Sequence, residues 1–166
     1  MRAFERAWRR LLEALAAAAA LLLGATAVAV TADVVSRNVG FGAFPWILEG
    51  SEYALPLATF LAAPWLLARN EHVRLDVLLR VLAPRVARLL ERATDALGFA
   101  VCAVFVVYGV RTALESARQG SMVMKSIVFP EWWLFVPVPV CFALLAVEFA
   151  RRFAAGEVSV GAGPHA

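Results

Sequence analysis

Histidine and cysteine are nearly missing from this sequence. Its 166 residues hold two of each, His72 and His165, Cys102 and Cys141. Haem in a membrane helix needs axial ligands, usually His, from inside the span. Neither His lies in an apolar run, so a haem-bearing span is excluded. The cysteines stand singly in separate apolar runs with no C-x-x-C pairing, which argues against thiol redox chemistry and for two small buried hydrophobes. No phosphate-binding loop, G-x-S-x-G turn or H-E-x-x-H pair occurs. Catalytic residues, cofactor ligands and metal ligands are therefore all expected to be none. Charge is scarce too: Asp, Glu, Lys and Arg make up 17% of residues while apolar types reach 62%, against roughly 25% and 45–50% in soluble domains. That balance excludes a water-soluble globular domain.

What is abundant is long apolar sequence. A hydrocarbon layer about 30 Å thick takes about 20 helical residues to cross, and four stretches qualify. "ALAAAAALLLGATAVAVTA", Ala14 to Ala32, carries no charge. "FPWILEGSEYALPLATFLAAPWLLA", Phe44 to Ala68, has Glu49 and Glu52 near its start and prolines at 45, 56 and 64. The third centres on "ALGFAVCAVFVVYGV", entered past Asp95, and the fourth is "WWLFVPVPVCFALLAV", Trp132 to Val147. The expectation is an all-α integral membrane protein, one four-helix domain over residues 1–152. Its spans are placed at about 12–35, 45–68, 93–114 and 131–152. The prolines at 137 and 139 are expected to bend the last one, since neighbouring helices can meet the freed backbone groups. Residues 153–166 are expected to form a disordered tail, since "AAGEVSVGAGPHA" at the end is small, Gly-containing and lacks large apolar side chains.

Basic residues near span ends favour the cytoplasmic side. Four lie in "MRAFERAWRR", six between Arg69 and Arg92, and two at the carboxyl end, against Arg37, Arg111, Arg118 and Lys125 on the other side. The bias predicts both termini inside. It places Trp46, Trp132 and Trp133 at the outer interface, where indole rings prefer to sit. The basic start and apolar run also resemble a secretory signal, but a run of about 20 residues exceeds the usual 7–15, so it is expected to remain as a span.

Ionisable groups in hydrocarbon often mark ion pathways, yet the centres of all four runs are free of charge. A carrier working alone would be expected to place polar sites near the midplane, so this chain is not expected to move solute by itself. Glu49 and Glu52, three apart, share a helix face roughly 5–9 Å inside the outer boundary at 1.5 Å per residue. Two readings stay open for them: solvation at the interface, or contact with a partner's basic residue or helix terminus.

The belt "RNEHVRLDVLLRVLAPR", Arg69 to Arg85, places Leu75, Leu78, Leu79 and Leu82 at helical spacing. It predicts an amphipathic interfacial helix at about 72–83, then a bend at Pro84, suited to a first helical turn. Arg69, Arg74, Arg80, Arg85, Arg88 and Arg92 read as anchors to anionic headgroups that set topology. That explanation serves better than nucleic-acid binding.

Several of these segments together resemble the DctQ family, the small membrane subunit of tripartite ATP-independent periplasmic (TRAP) transporters. They are "RNEHVRLDVL" after the second span, the acidic entry "PWILEGSEYALPLATFLAAPWLLA", and "SIVFPEWWLFVPVPV" before the fourth. The resemblance runs from about Val34 to Arg152 and rests on the order and spacing of short motifs. It implies a scaffold in a bacterial or archaeal inner membrane. Its partners would be a large multi-span DctM-type subunit carrying the sodium and substrate sites, and a periplasmic DctP-type binding protein that delivers an organic acid. It also makes Glu49, Glu52, His72 and Asp76 candidates for structural or subunit-contact roles. His72 and Asp76, four apart, can pair along a helix face, either as local support or to orient that face toward a partner. Two departures stand out: two acidic residues occupy the place of one, and Asn70 and Glu71 precede His72 where glycine is commoner. Two other classes remain, the small subunit of a tripartite tricarboxylate transporter and a four-span membrane enzyme or quinone-linked subunit.

Overall fold

The computed structural model describes residues 2–69 and 84–155. Helix α1 (Arg2–Val39) turns into α2 (Pro45–Ala68), and α3 (Pro84–Gln119) leads into a hairpin of β1 (Met122–Met124) and β2 (Val128–Pro130). A single turn, α4 (Trp132–Phe135), then precedes α5 (Pro137–Ala155). The long helices run alternately between two ends. At the hairpin end, Glu49 of α2 meets Ser126. At the opposite, terminal end, Trp8 of α1 meets Glu148 of α5. The most extensive packing is α3 on α5 and α1 on α2, with α2 also against α5.

Leucine and alanine dominate these helices and both favour helical backbone. The interspersed threonines do not disturb it. Thr26, Thr31, Thr59 and Thr94 each donate a hydroxyl to the carbonyl four residues back, which leaves no unmet donor on an apolar surface. Val136 separates α4 from α5 because Pro137 has no N–H to continue the ladder. Val136 itself still donates to the Trp132 carbonyl, so the two form a nearly continuous rod.

The α1–α2 turn requires backbone that ordinary residues avoid. Gly40 and Gly42 both take positive φ, 89° and 100°, and Phe41 N–H returns to the Ser36 carbonyl at 3.0 Å. Phe44 starts α2 without a side-chain cap of its own. Its N–H donates instead to Asp33 Oδ1 of the preceding helix at 2.8 Å. Gly120, at φ 65°, ends α3 and turns the chain into β1.

Helices over Phe4–Val39, Arg92–Gln119 and Trp132–Phe153 are long and apolar enough to cross a membrane. Few of their residues are buried within the chain, and Leu21, Val28, Leu97 and Tyr108 stand well exposed. At 38 residues and 1.5 Å each, α1 is about 57 Å long, well beyond the hydrocarbon thickness. α2, with 24 residues, has the length to cross. It is not among those three, because Glu49, Ser51, Glu52, Pro56 and Pro64 dilute its apolar character.

The expectation of an all-α chain needs amendment. The segment after α3 pairs as a two-stranded antiparallel ribbon, Met122 opposite Pro130 and Met124 opposite Val128. Three-residue strands are too short to show a legible alternation. The interfacial helix anticipated at about 72–83 lies outside the described residues, and so do Arg74, Arg80, His72 and Asp76. α5 continues through Ala155, so the first three residues of the anticipated tail are helical; 156–166 lie outside the described residues.

Candidate functional site

Polar groups gather at the two ends of the bundle. At the hairpin end, α2 presents Glu49 and Glu52 from adjacent turns, and the 125–126 turn of the hairpin lies over both. Glu52 Oε2 accepts from Lys125 Nζ at 2.7 Å, and both side chains are about half exposed. Glu49 is buried; its Oε2 accepts from the Ser126 backbone N–H at 2.9 Å. Its Oε1 is enclosed without a hydrogen-bond partner. Tyr53, one turn on from Glu49, meets Phe129 edge to face at 5.4 Å, and Lys125 sits 5.6 Å from the Tyr53 ring centre.

The Lys125 ammonium is held above its ordinary value of 10.5, chiefly by its hydrogen bond to Glu52 and against a smaller opposing cost of desolvation. Lys125 is therefore charged throughout the neutral range. The acidic start of α2 is thus a clamp on the chain's own hairpin. Sequence reasoning put the two glutamates on one face but supplied no partner for them, since Lys125 and Ser126 are more than seventy residues away.

A second tie at the same end joins α3 to α4. Ser116 donates to Glu131 Oε2 at 3.3 Å, and Glu131 N–H donates to the Ser121 carbonyl at 3.0 Å. Asp33, which also takes a hydrogen bond from Arg37, completes the set. Trp46 and Trp133 stand well exposed and Trp132 more than a third exposed.

At the terminal end, the Trp8 indole N–H donates to Glu148 Oε2 at 2.8 Å, and Arg151 donates to the same oxygen at 3.0 Å. The Arg151 guanidinium also lies 5.8 Å from the Trp8 ring centre. Arg152 donates to the Leu67 carbonyl in the last turn of α2, answering one of the carbonyls a helix end leaves unpaired. It also lies within Coulombic reach of Asp95. Arg69 stacks over Trp65 at 4.2 Å. Trp8 therefore ties α1 to α5 through a carboxylate. Arg92 is exposed; Arg85 and Arg88 fall in the first turns of α3. Cys102 and Cys141 are free and buried.

Two ends rich in ion pairs, joined by helices with apolar outer surfaces, define a multi-pass α-helical membrane protein whose charged groups hold the bundle together. The chain matches the family model for tripartite ATP-independent periplasmic transporters, DctQ component, over residues 26–157. It belongs to that family and is a TRAP transporter small membrane subunit, a transporter component and not an enzyme. The match begins within α1 at residue 26, ahead of the Val34 at which the resemblance of the sequence motifs starts. No curated protein matches the chain in sequence.

Proposed function

We propose that the chain is a non-conducting scaffold that steadies the large membrane subunit of a TRAP transporter in a bacterial or archaeal inner membrane. In this reading the large subunit carries out sodium-coupled uptake of an organic acid delivered by a periplasmic binding protein. The observation that carries it is the placement of charge. Among the described residues, the buried ionisable carboxylates Asp33, Glu49 and Glu148 lie within about two helical turns of the end of α1, the start of α2 and the end of α5, and each answers a group of this same chain. Nothing comparable lies midway along the helices, where a coupling site would be needed. In this reading sodium coupling belongs to the large subunit, and no cofactor is assigned to this chain.

α2 is the fourth crossing in this proposal. Its two ends are tied to the hairpin end and the terminal end by Glu49 and by the Leu67 carbonyl, so it runs between the same two ends as its neighbours. The basic residues of the terminal end face the cytoplasm and anchor to anionic lipid, with Trp46, Trp132 and Trp133 at the outer interface. Residues 1–152 form the one membrane domain. Glu49 and Glu52 hold the outer hairpin in the shape that the assembly uses, and His72 and Asp76 contribute from the cytoplasmic side.

Co-purification tests the scaffold role. The tagged chain should retain a large multi-span partner from detergent extracts, and deleting it should abolish sodium-driven uptake. Retention of no such partner together with intact uptake would refute the proposal.

A further inference from the structure

The strand register divides the hairpin into two unlike faces. Val123 and Phe129 are directly opposed and therefore point to one side; Met122, Met124 and Val128 point to the other. The first side is taken, because Phe129 packs on Tyr53 of α2. The hairpin's own polar groups are turned inward as well, Lys125 to Glu52 and the Ser126 N–H to Glu49. The second side is left apolar and uncovered. Met122 is 46% exposed, Met124 82% and Val128 60%.

We propose that this Met122–Met124–Val128 face is seated in the interfacial layer of the bilayer, so that the hairpin is a lipid-contacting element of the subunit. The proposal rests on the membrane-spanning reading of the chain and is independent of its role in transport. Three observations favour lipid. α3 ends at Gln119, three residues before β1 begins, and the exposed pair Trp132 and Trp133 begins two residues after β2 ends. The hairpin is thus fixed at the level where the spans stop and where Trp rings prefer to sit. The turns of α3 that lead to it expose apolar side chains as well, Val107, Val110 and Leu114. The face also amounts to only a few hundred Å² at most, below the roughly 800 Å² per partner of a stable protein interface, whereas a small apolar face backed by cationic side chains suits the headgroup and acyl boundary. Arg118, exposed in the last turn of α3, supplies such charge.

The test uses the full chain in vesicles of phosphatidylcholine and phosphatidylglycerol, carrying a nitroxide at M124C or V128C, with L97C as a mid-helix reference. Cys102 and Cys141 are buried and are replaced by Ala to remove background labelling. The ratio of collision with oxygen to collision with a water-soluble nickel chelate should be several-fold higher at 124 and 128 than for the label free in buffer. It should stay so when the large membrane subunit is co-assembled. A nickel-dominated response at 124 and 128, with an oxygen-dominated one at 97, would overturn the hairpin proposal while leaving the membrane reading intact. A nickel-dominated response at 97 would strike the membrane reading itself. Protection from both agents only in the presence of the large subunit would assign the face to protein and also overturn the proposal.

Discussion

Trp8 and Glu148 are the most consequential pair of single side chains. Trp8→Phe keeps an aromatic ring but removes the N–H that Glu148 accepts, leaving a buried carboxylate held by Arg151 alone. Losing one partner of a buried charged acceptor costs about 1–3 kcal/mol. The variant should unfold at lower temperature in detergent, and Trp8→Phe combined with Glu148→Gln should cost less than the sum of the two single changes. Full additivity in that double-mutant cycle would show that the pair does not couple. In the sequence the two residues stand 140 positions apart. Their pairing became visible only with the helices in place.

The hairpin and the α3–α5 seam are the elements whose behaviour can be measured separately. Glu52→Ala removes the hydrogen bond to Lys125 and should loosen the hairpin, seen as faster proteolysis between α3 and α4 with the helical signal unchanged. The pH dependence has a definite sign. Folding raises the Lys125 value, so the pair's contribution is fully present below the ordinary 10.5 and is lost only as pH climbs through the raised value. From pH 7 to 9 the hairpin's protease resistance should not fall on this account, and in Glu52→Ala the alkaline loss should vanish.

On the seam, Gly98 lies under Phe149, where an added Cβ would stand 2.6 Å from the ring tip. Gly109 meets Pro139 with 3.1 Å for the same atom, and between them Phe105 stacks on Phe142 at 4.4 Å. Small residues let helices approach where water is not available to drive association. Gly98→Leu should cost about 1–3 kcal/mol through overpacking, read as a lower unfolding midpoint in detergent. Gly98→Ala should cost less, because the Phe149 ring can swing. An unchanged midpoint for Gly98→Leu would mean that α3 and α5 do not meet closely there.

For the whole molecule, assembly is the property that matters. Glu52→Ala and His72→Ala should reduce the amount of large subunit recovered with the tagged chain while leaving the preference among competing organic acids unchanged in uptake assays. An altered preference would place substrate selection in this chain and contradict the scaffold role. A reporter active only in the cytoplasm, fused after Ala166, should be active if the four long helices are four crossings; inactivity would rule out that topology.

Composition and run length by themselves determined the membrane class and the approximate position of every long helix, because burial in hydrocarbon demands about 20 apolar residues wherever it occurs and needs no knowledge of neighbours. The order of short motifs also determined the family. The β1–β2 hairpin was not legible, since strands of three residues carry too little period to register against the apolar background. Only the tertiary structure decided what the scarce charges do. Glu49 and Glu52 could equally have faced water or a partner until Lys125 and Ser126 were brought over them, and Asp33 could not be read as the cap of a different helix until Gly40 and Gly42 folded the chain back. A polar group's partner depends on which distant segment arrives beside it, and that follows from the packing of the helices, not from the residue's neighbours along the chain.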